Sequence, residues 1–526
     1  MIEILDTTLR DGSQGEGVNF SAVDKLAVAR RLAEFGIPLI EGGWPGSNPR
    51  DQDFFQQACQ IPLGHSQLVA FGATRRKGVR AGEDSSVQAL AAAKTSVVTL
   101  FGKSWDLHVR EALGASLEEN LAMIGETVAF MHALGKRVIY DAEHFFDGYK
   151  AEPDYALATL GAAAAAGADT LVLCDTNGGS MPEEIAEITA AVKSSFRDFQ
   201  IGIHAHNDSG LAVANSLAAI RAGANHLQGT INGYGERCGN ANLTTLIATL
   251  SLKYHQDLGG INDLKGLVEL SRFVDERANL PPDRRAPYVG EAAFAHKGGV
   301  HVSAVSKNPR TYEHIEPEQV GNSRRVLVSD LSGRSNLMTR LAEAGVKLSP
   351  EEAGSLLSEV KSLEHAGYAF EAAEASFFLL LRRLRGSEFP FSVRHFAIIG
   401  HGQEGGFEQA EATVEVEVKG ERIHCAAFGD GPVHALDSAL RKAVIGFYPE
   451  LSSVELADYK VRVLSGPESG TASAVRVLIE LKNGTRSWGT VGAGTDIIAA
   501  SLRALVDGYS YALLVGTREL GLAQAE

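Results

Sequence analysis

Short apolar runs separated by longer, alanine-rich stretches recur eight times up to about residue 250, and this alternation restricts the fold more than any other feature of the chain. The runs are Ile2–Asp6, Leu39–Gly42, Leu68–Gly72, Val97–Phe101, Val138–Asp141, Thr170–Asp175, Ile201–His204 and His226–Thr230. Each has strand length. Stretches between them, such as Val23–Phe35, Leu117–Leu134, Tyr155–Ala166, Pro182–Val192 and Leu211–Ala222, carry apolar residues at helical spacing. Eight β/α units with polar clusters after most strands predict an α/β fold with a (β/α)8 TIM barrel over residues 1–254. A doubly wound open sheet is the alternative.

Residues 255–395 are mostly helical in pattern, as in Leu264–Ala278 and Pro350–Leu363, and are broken by a Gly/His/Pro-rich segment from Pro281 to Pro317. They predict helical linker subdomains. From residue 396 the pattern changes again. Ala412–Val418 alternates strictly, Val461–Leu464 and Ala474–Leu481 read as strands, and Val433–Ile445 and Thr495–Gly508 read as helices. Residues 396–526 are therefore expected to form a separate C-terminal α+β domain.

Composition narrows the function. No apolar run approaches the roughly 20 residues that span a bilayer, so no membrane partner is expected. The first residues reach a charged motif without a basic start or an apolar stretch, which points to the cytoplasm. Four cysteines (Cys59, Cys174, Cys238, Cys425) lie far apart without a Cys-x-x-Cys pair, and are expected to be reduced thiols. A formal net charge of −16 opposes attraction to nucleic acid phosphates. Small-molecule chemistry is the expectation.

In a barrel the chemistry gathers where the strands end. There the chain places Asp6-Thr7-Thr8-Leu9-Arg10-Asp11-Gly12, Glu41, Tyr140-Asp141-Ala142-Glu143-His144, Asp175-Thr176-Asn177-Gly178 and His204-Ala205-His206-Asn207-Asp208. His204 and His206 are two residues apart on an extended chain, so either both imidazoles reach one ion or they are two ordinary polar residues at a strand end, and the barrel context favours the ion. With Asp11 and Asn240 they offer a mixed oxygen and nitrogen shell for a divalent cation, magnesium or manganese by preference, with zinc or cobalt also compatible. Arg10 beside Asp11 either holds a substrate oxyanion or pairs with a structural carboxylate such as Asp6 or Glu41. Thr176 either donates to a substrate carboxylate or caps the helix that begins near Pro182. Glu41 and Glu143 are supports or proton acceptors.

These motifs, with the loop Asn232-Gly233-Tyr234-Gly235-Glu236-Arg237-Cys238-Gly239-Asn240, resemble the 2-isopropylmalate/homocitrate/citramalate synthase family. Its members are metal-dependent barrel enzymes that condense acetyl-CoA with a 2-oxo acid, and are related to a metalloaldolase and lyase branch. The resemblance implies that Asp11, His204, His206 and Asn240 bind the metal, and that Arg10 and Thr176 hold the 2-oxo acid. It also implies acetyl-CoA as co-substrate. The segments His296–His301 and Tyr312–Pro317 look like the helical region that the synthases carry and the aldolase branch lacks. On that pattern His301 and Tyr312 are acid/base candidates beside Glu143, entering the barrel of a neighbouring subunit in a homodimer.

Pyruvate is the expected acceptor. Tyr140 and Phe101 are bulky residues at strand ends and are expected to fill the space that a branched acceptor would need. The Tyr140–Lys150 and Glu41–Pro49 segments also resemble the pyruvate-using branch. Gly429-Asp430-Gly431-Pro432-Val433 and Trp488–Gly494 look like the allosteric domain of these synthases, with isoleucine as the expected effector. Their glycines either let a ligand approach the backbone or merely make tight turns.

Overall fold

The computed structural model describes residues 1–58, 60–327, 348–402, 408–464, 473–484 and 486–516. They form two compact units, one of residues 1–294 with 315–324 and one of residues 295–314 with 325–526.

In the first unit eight strands close into a parallel barrel: β1 (Glu3–Asp6), β2 (Leu39–Gly43), β3 (Gln67–Ala73), β4 (Val97–Lys103), β5 (Arg137–Glu143), β6 (Thr170–Asp175), β7 (Gln200–Ala205) and β8 (His226–Gly229). β1 pairs with both β2 and β8, which leaves no edge strand. The barrel interior is filled by Leu5, Leu39, Val69, Val97, Ile139, Val172 and Cys174. Residues one position along point the other way and join the larger core beneath the helices, among them Ile4, Ile40, Ala70, Val98, Tyr140, Leu171 and Leu227. The first crossover helix, Ala22–Phe35, starts at a Ser21–Asp24 capping box and ends at Gly36 with φ of 99°. At the opposite end from the strand C-termini, Glu3 of β1 binds Arg137 of β5 (2.7 and 2.6 Å) and His226 of β8 (3.0 Å), tying three strands together.

In the second unit, β9 (Ala295–His296) and β10 (Arg325–Val326) form a short parallel pair, so the region expected to be helical also contains strands. Further on, a pattern of three antiparallel strands and a helix occurs twice. β11 (Phe391–Gly402), β12 (Glu408–Val418) and β13 (Glu421–Gly429) precede helix Pro432–Val444. β14 (Glu455–Val463), β15 (Val475–Asn483) and β16 (Arg486–Gly494) precede helix Ile497–Gly516. Both sheets and both helices contribute to one apolar core.

Three expectations need correction here. Strand β11 begins at Phe391, before the boundary placed at residue 396. The glycines of Trp488–Gly494 lie inside strand β16 and serve packing: a Cβ on Gly489 would lie 2.0 Å from the Ala372 carbonyl oxygen, and one on Gly492 2.0 Å from that of Ala500. The last helix does contain a window, Ile497–Leu514, long and apolar enough to cross a membrane. Its Ala500, Ala504, Leu505 and Tyr509 are buried in the core of the second unit, which accounts for that composition. Cys174, Cys238 and Cys425 are free thiols, and Cys59 lies outside the described residues.

Candidate metal centre and acceptor pocket

His204 and His206 emerge together at the end of β7, with their Nε2 atoms 3.2 Å apart. Asp11, just after β1, places Oδ2 3.2 Å from His204 Nε2 and 3.8 Å from His206 Nε2. All three side chains are buried. Among the described residues they are the one group of three potential ligands whose ligand atoms lie within 4.8 Å of one another. Asn240 reaches the cluster because the loop after β8 folds back along β7, where it forms a bridge with His206. Its Nδ2 lies 2.7 Å from Asp11 Oδ2 and 3.4 Å from His204 Nε2.

These residues fit a divalent cation. Ligands about 2.1 Å from an ion and at right angles to one another lie about 3 Å apart, close to the spacings seen. Buried His206 Nδ1 and Asn240 Oδ1 have no hydrogen-bond partner. To ligate through oxygen, Asn240 needs a half-turn of its amide from the orientation observed.

Electrostatics also favour a cation. Burial alone would raise the Asp11 carboxyl, but Arg10, followed by His204 and His206, outweighs it and holds Asp11 well below the usual carboxylate range. Burial opposes charge on His204, yet the contact with Asp11 prevails and raises it. His206 is lowered to about 4 by burial and by its neighbour His204. The buried Asp141, on the same rim, is raised to about 7, chiefly by burial.

Arg10 is pinned rather than consumed by its ion pairs. Nε donates to Glu41 Oε1 at 2.6 Å, Nη1 lies 3.4 Å from Asp11 Oδ1, and the guanidinium carbon sits 3.8 Å from the centre of the Phe71 ring. Glu41 is thus a support for Arg10. The adjoining pocket, about 230 Å³, is lined by Arg10, Asp11, Glu143, Thr176 and both histidines. Its aromatic wall is Phe71 stacked on Phe101 at 5.2 Å, with Trp44 edge-on to both. Thr176 faces this pocket and does not cap the helix at Pro182, whose N-cap is Met181. The Thr176 hydroxyl accepts from the His144 amide at 2.9 Å, which leaves its own proton free to donate.

Other expected residues are placed differently. Tyr140 lies on the outer face of β5, wholly buried in the core beneath the helices, because alternation turns Asp141 and Glu143 toward the pocket instead. It does not line this pocket. Glu143 lines the pocket in an ion pair with Lys103. His301 and Tyr312 belong to the second unit, where both are exposed and their rings stack at 4.1 Å. Gln228 on β8 was not singled out: it bridges His204 Nδ1 (2.9 Å) and Asp141 Oδ1 (2.8 Å). Arg237 was also missed. It makes paired 2.8 Å contacts to Asp208 and donates to the Thr176 carbonyl at 2.7 Å, holding the loop after β8 over the pocket.

The HMGL-like family model matches residues 1–274, the eight-stranded barrel whose rim carries the buried Asp11, His204 and His206 cluster, and this places the chain in the HMGL-like class. A homocitrate synthase post-HMGL domain-like model matches residues 288–367, and a LeuA allosteric (dimerisation) domain model matches residues 371–513. Within that class the chain belongs to the (R)-citramalate synthase family. It is 53% identical to the (R)-citramalate synthase of Aquifex aeolicus, over 98% of this chain and 99% of that one. It is 52% identical to the (R)-citramalate synthase of a Synechocystis species, over 97% and 96%. A probable 2-isopropylmalate synthase of Methanopyrus kandleri is 33% identical over 96% and 97%.

Proposed function

We propose that this chain condenses acetyl-CoA with pyruvate and hydrolyses the resulting thioester, releasing (R)-citramalate and CoA. The observation that carries the reading is the placement of Arg10 and Thr176 beside the Asp11–His204–His206 cluster, in a small pocket closed by Phe71 and Phe101. The likeness to full-length (R)-citramalate synthases supports it.

Asp11, His204, His206 and Asn240 would hold a divalent ion, magnesium or manganese by preference and zinc or cobalt by ligand type, which would supply Lewis-acid polarisation at the acceptor's ketone. Arg10, fixed by Glu41, directs its remaining N–H groups at the oxygen that gains charge. The Thr176 hydroxyl donates to the acceptor carboxylate. Loss of a proton from the acetyl methyl group creates the carbon nucleophile, which bonds to C2 of pyruvate. Water then cleaves the thioester and CoA leaves as the thiol. Proton transfer in these steps is assigned to Glu143, His301 and Tyr312, with His301 and Tyr312 acting on the partner's barrel in a cytosolic homodimer. Residues 1–254 are the catalytic part, the residues from there to β11 the linker, and the part from β11 at Phe391 onward a dimerisation and regulatory part whose effector is isoleucine.

Thiol release from acetyl-CoA in the presence of magnesium or manganese tests the reading. Pyruvate should be preferred over 2-oxobutyrate, 2-oxoisovalerate and 2-oxoglutarate. Preference for 2-oxoisovalerate would make the activity that of a 2-isopropylmalate synthase, and no release with any acceptor would reject a synthase.

A further inference from the structure

We infer that Gln228, oriented by Asp141, is a positioning residue that fixes which nitrogen of His204 faces the metal. The inference rests on reading Asp11, His204 and His206 as metal ligands. Gln228 of β8 sits beside His204 of the adjacent β7, and the curvature of the barrel brings Asp141 of β5 to its other end. Gln228 is wholly buried, and Asp141 nearly so. The two ends of a glutamine amide differ, one donating and one accepting. An ionised Asp141 can only accept, and so decides between them: Gln228 Nε2 donates to Asp141 Oδ1 at 2.8 Å, and Oε1 is the end that meets His204 Nδ1, at 2.9 Å.

Because Gln228 Oε1 can only accept, His204 Nδ1 must carry a proton. When the imidazole is neutral, the lone pair is therefore on Nε2, the atom that points at Asp11 and His206. A metal-bound histidine needs that tautomer, and a hydrogen bond to its other nitrogen is what selects it. His206 differs: its Nδ1 is buried without a hydrogen-bond partner, so no such contact selects its tautomer. The order from β5 to the cluster is acceptor, donor, acceptor, donor, lone pair.

Two variants test this. Gln228→Met keeps the volume and removes both contacts. The double variant Asp141→Asn with Gln228→Glu exchanges donor and acceptor between positions 141 and 228 but still presents an acceptor to His204 Nδ1. In apo-protein labelled with 15N-histidine at pH 8, the nitrogen shifts report which ring atom of His204 holds the proton. Electron paramagnetic resonance titration reports Mn2+ affinity. Gln228→Met is expected to lose the single Nδ1–H tautomer and to bind Mn2+ about 10–100-fold more weakly, and the double variant should recover both.

Parent-like tautomer and affinity in Gln228→Met would overturn the inference, as would a folded double variant no better than the single one. If Gln228→Met fails to fold, the double variant decides alone, by retaining or losing the Nδ1–H form. A parent protein that binds no Mn2+ would reject the metal reading itself, while the His204 tautomer would still show whether Gln228 sets it.

Discussion

Arg10 donates through Nε to Glu41 Oε1 at 2.6 Å, a contact that, with Asp11 and the Phe71 ring, holds the guanidinium against the pocket. The three N–H groups of a lysine radiate from one nitrogen, so it cannot bond Glu41 and also hold N–H groups at the pocket in the planar fork of a guanidinium. Arg10→Lys is expected to lower kcat/KM for pyruvate about 10²–10³-fold, the usual cost of removing one oxyanion donor. Steady-state kinetics check this, and a variant within tenfold of the parent would remove Arg10 from the proposed chemistry.

The pocket wall sets how large an acceptor fits. Phe101 lines it beside Phe71, whereas Tyr140 faces the helices. Phe101→Ala should raise 2-oxobutyrate relative to pyruvate by about tenfold, the order of discrimination carried by one methylene in a fitted pocket. Tyr140→Phe should leave that ratio unchanged. Acceptor competition assays measure both, and a shift in the Tyr140 variant alone would contradict the placement.

How much of this was legible in the sequence depended on whether the signal was local. The barrel was readable because strand and helix periods alternate eight times, and the metal cluster because His204 and His206 share one strand end. Tyr140 was misjudged because alternation around an unknown strand phase leaves two choices, and burial in the fold turned Asp141 rather than Tyr140 inward. Gln228 was illegible: its partners lie on β5 and β7, far apart in the chain. β16 was read through its glycines, whose value is the close approach of Ala372 and Ala500, contacts that exist only after folding.

The loop that carries Trp44 is stapled by a buried ion pair. Lys25 binds Asp51 Oδ1 at 2.5 Å, and Asp51 Oδ2 accepts from the Trp44 amide at 2.9 Å. Lys25→Met removes the close partner of the buried Asp51 and leaves it only the longer Arg50 contact at 3.8 Å, which should cost about 3 kcal/mol, the low end for a broken buried pair. Urea unfolding followed by tryptophan fluorescence provides the check, and loss of less than about 1 kcal/mol would mean the pair behaves as an exposed one.

At the far end of the barrel, Glu3 predicts a pH dependence. Burial raises its carboxyl, but the His226 and Arg137 contacts prevail and lower it well below the ordinary 4.5. A depressed folded-state value means this stabilisation is complete above about pH 5 and is lost as pH falls through and below 4.5. Glu3→Gln should lower Tm at pH 7, with the gap to the parent shrinking as the pH falls below 4.5. Thermal melts across that range test the sign, and a gap that widens toward acid would refute it.

The most direct test of the central claim is the acceptor dependence of thiol release by the full chain with magnesium or manganese. Pyruvate should give the highest kcat/KM, and removing the metal with a chelator should abolish release until metal is restored. Equal release from acetyl-CoA with and without a 2-oxo acid, or release that survives metal removal, would contradict the account.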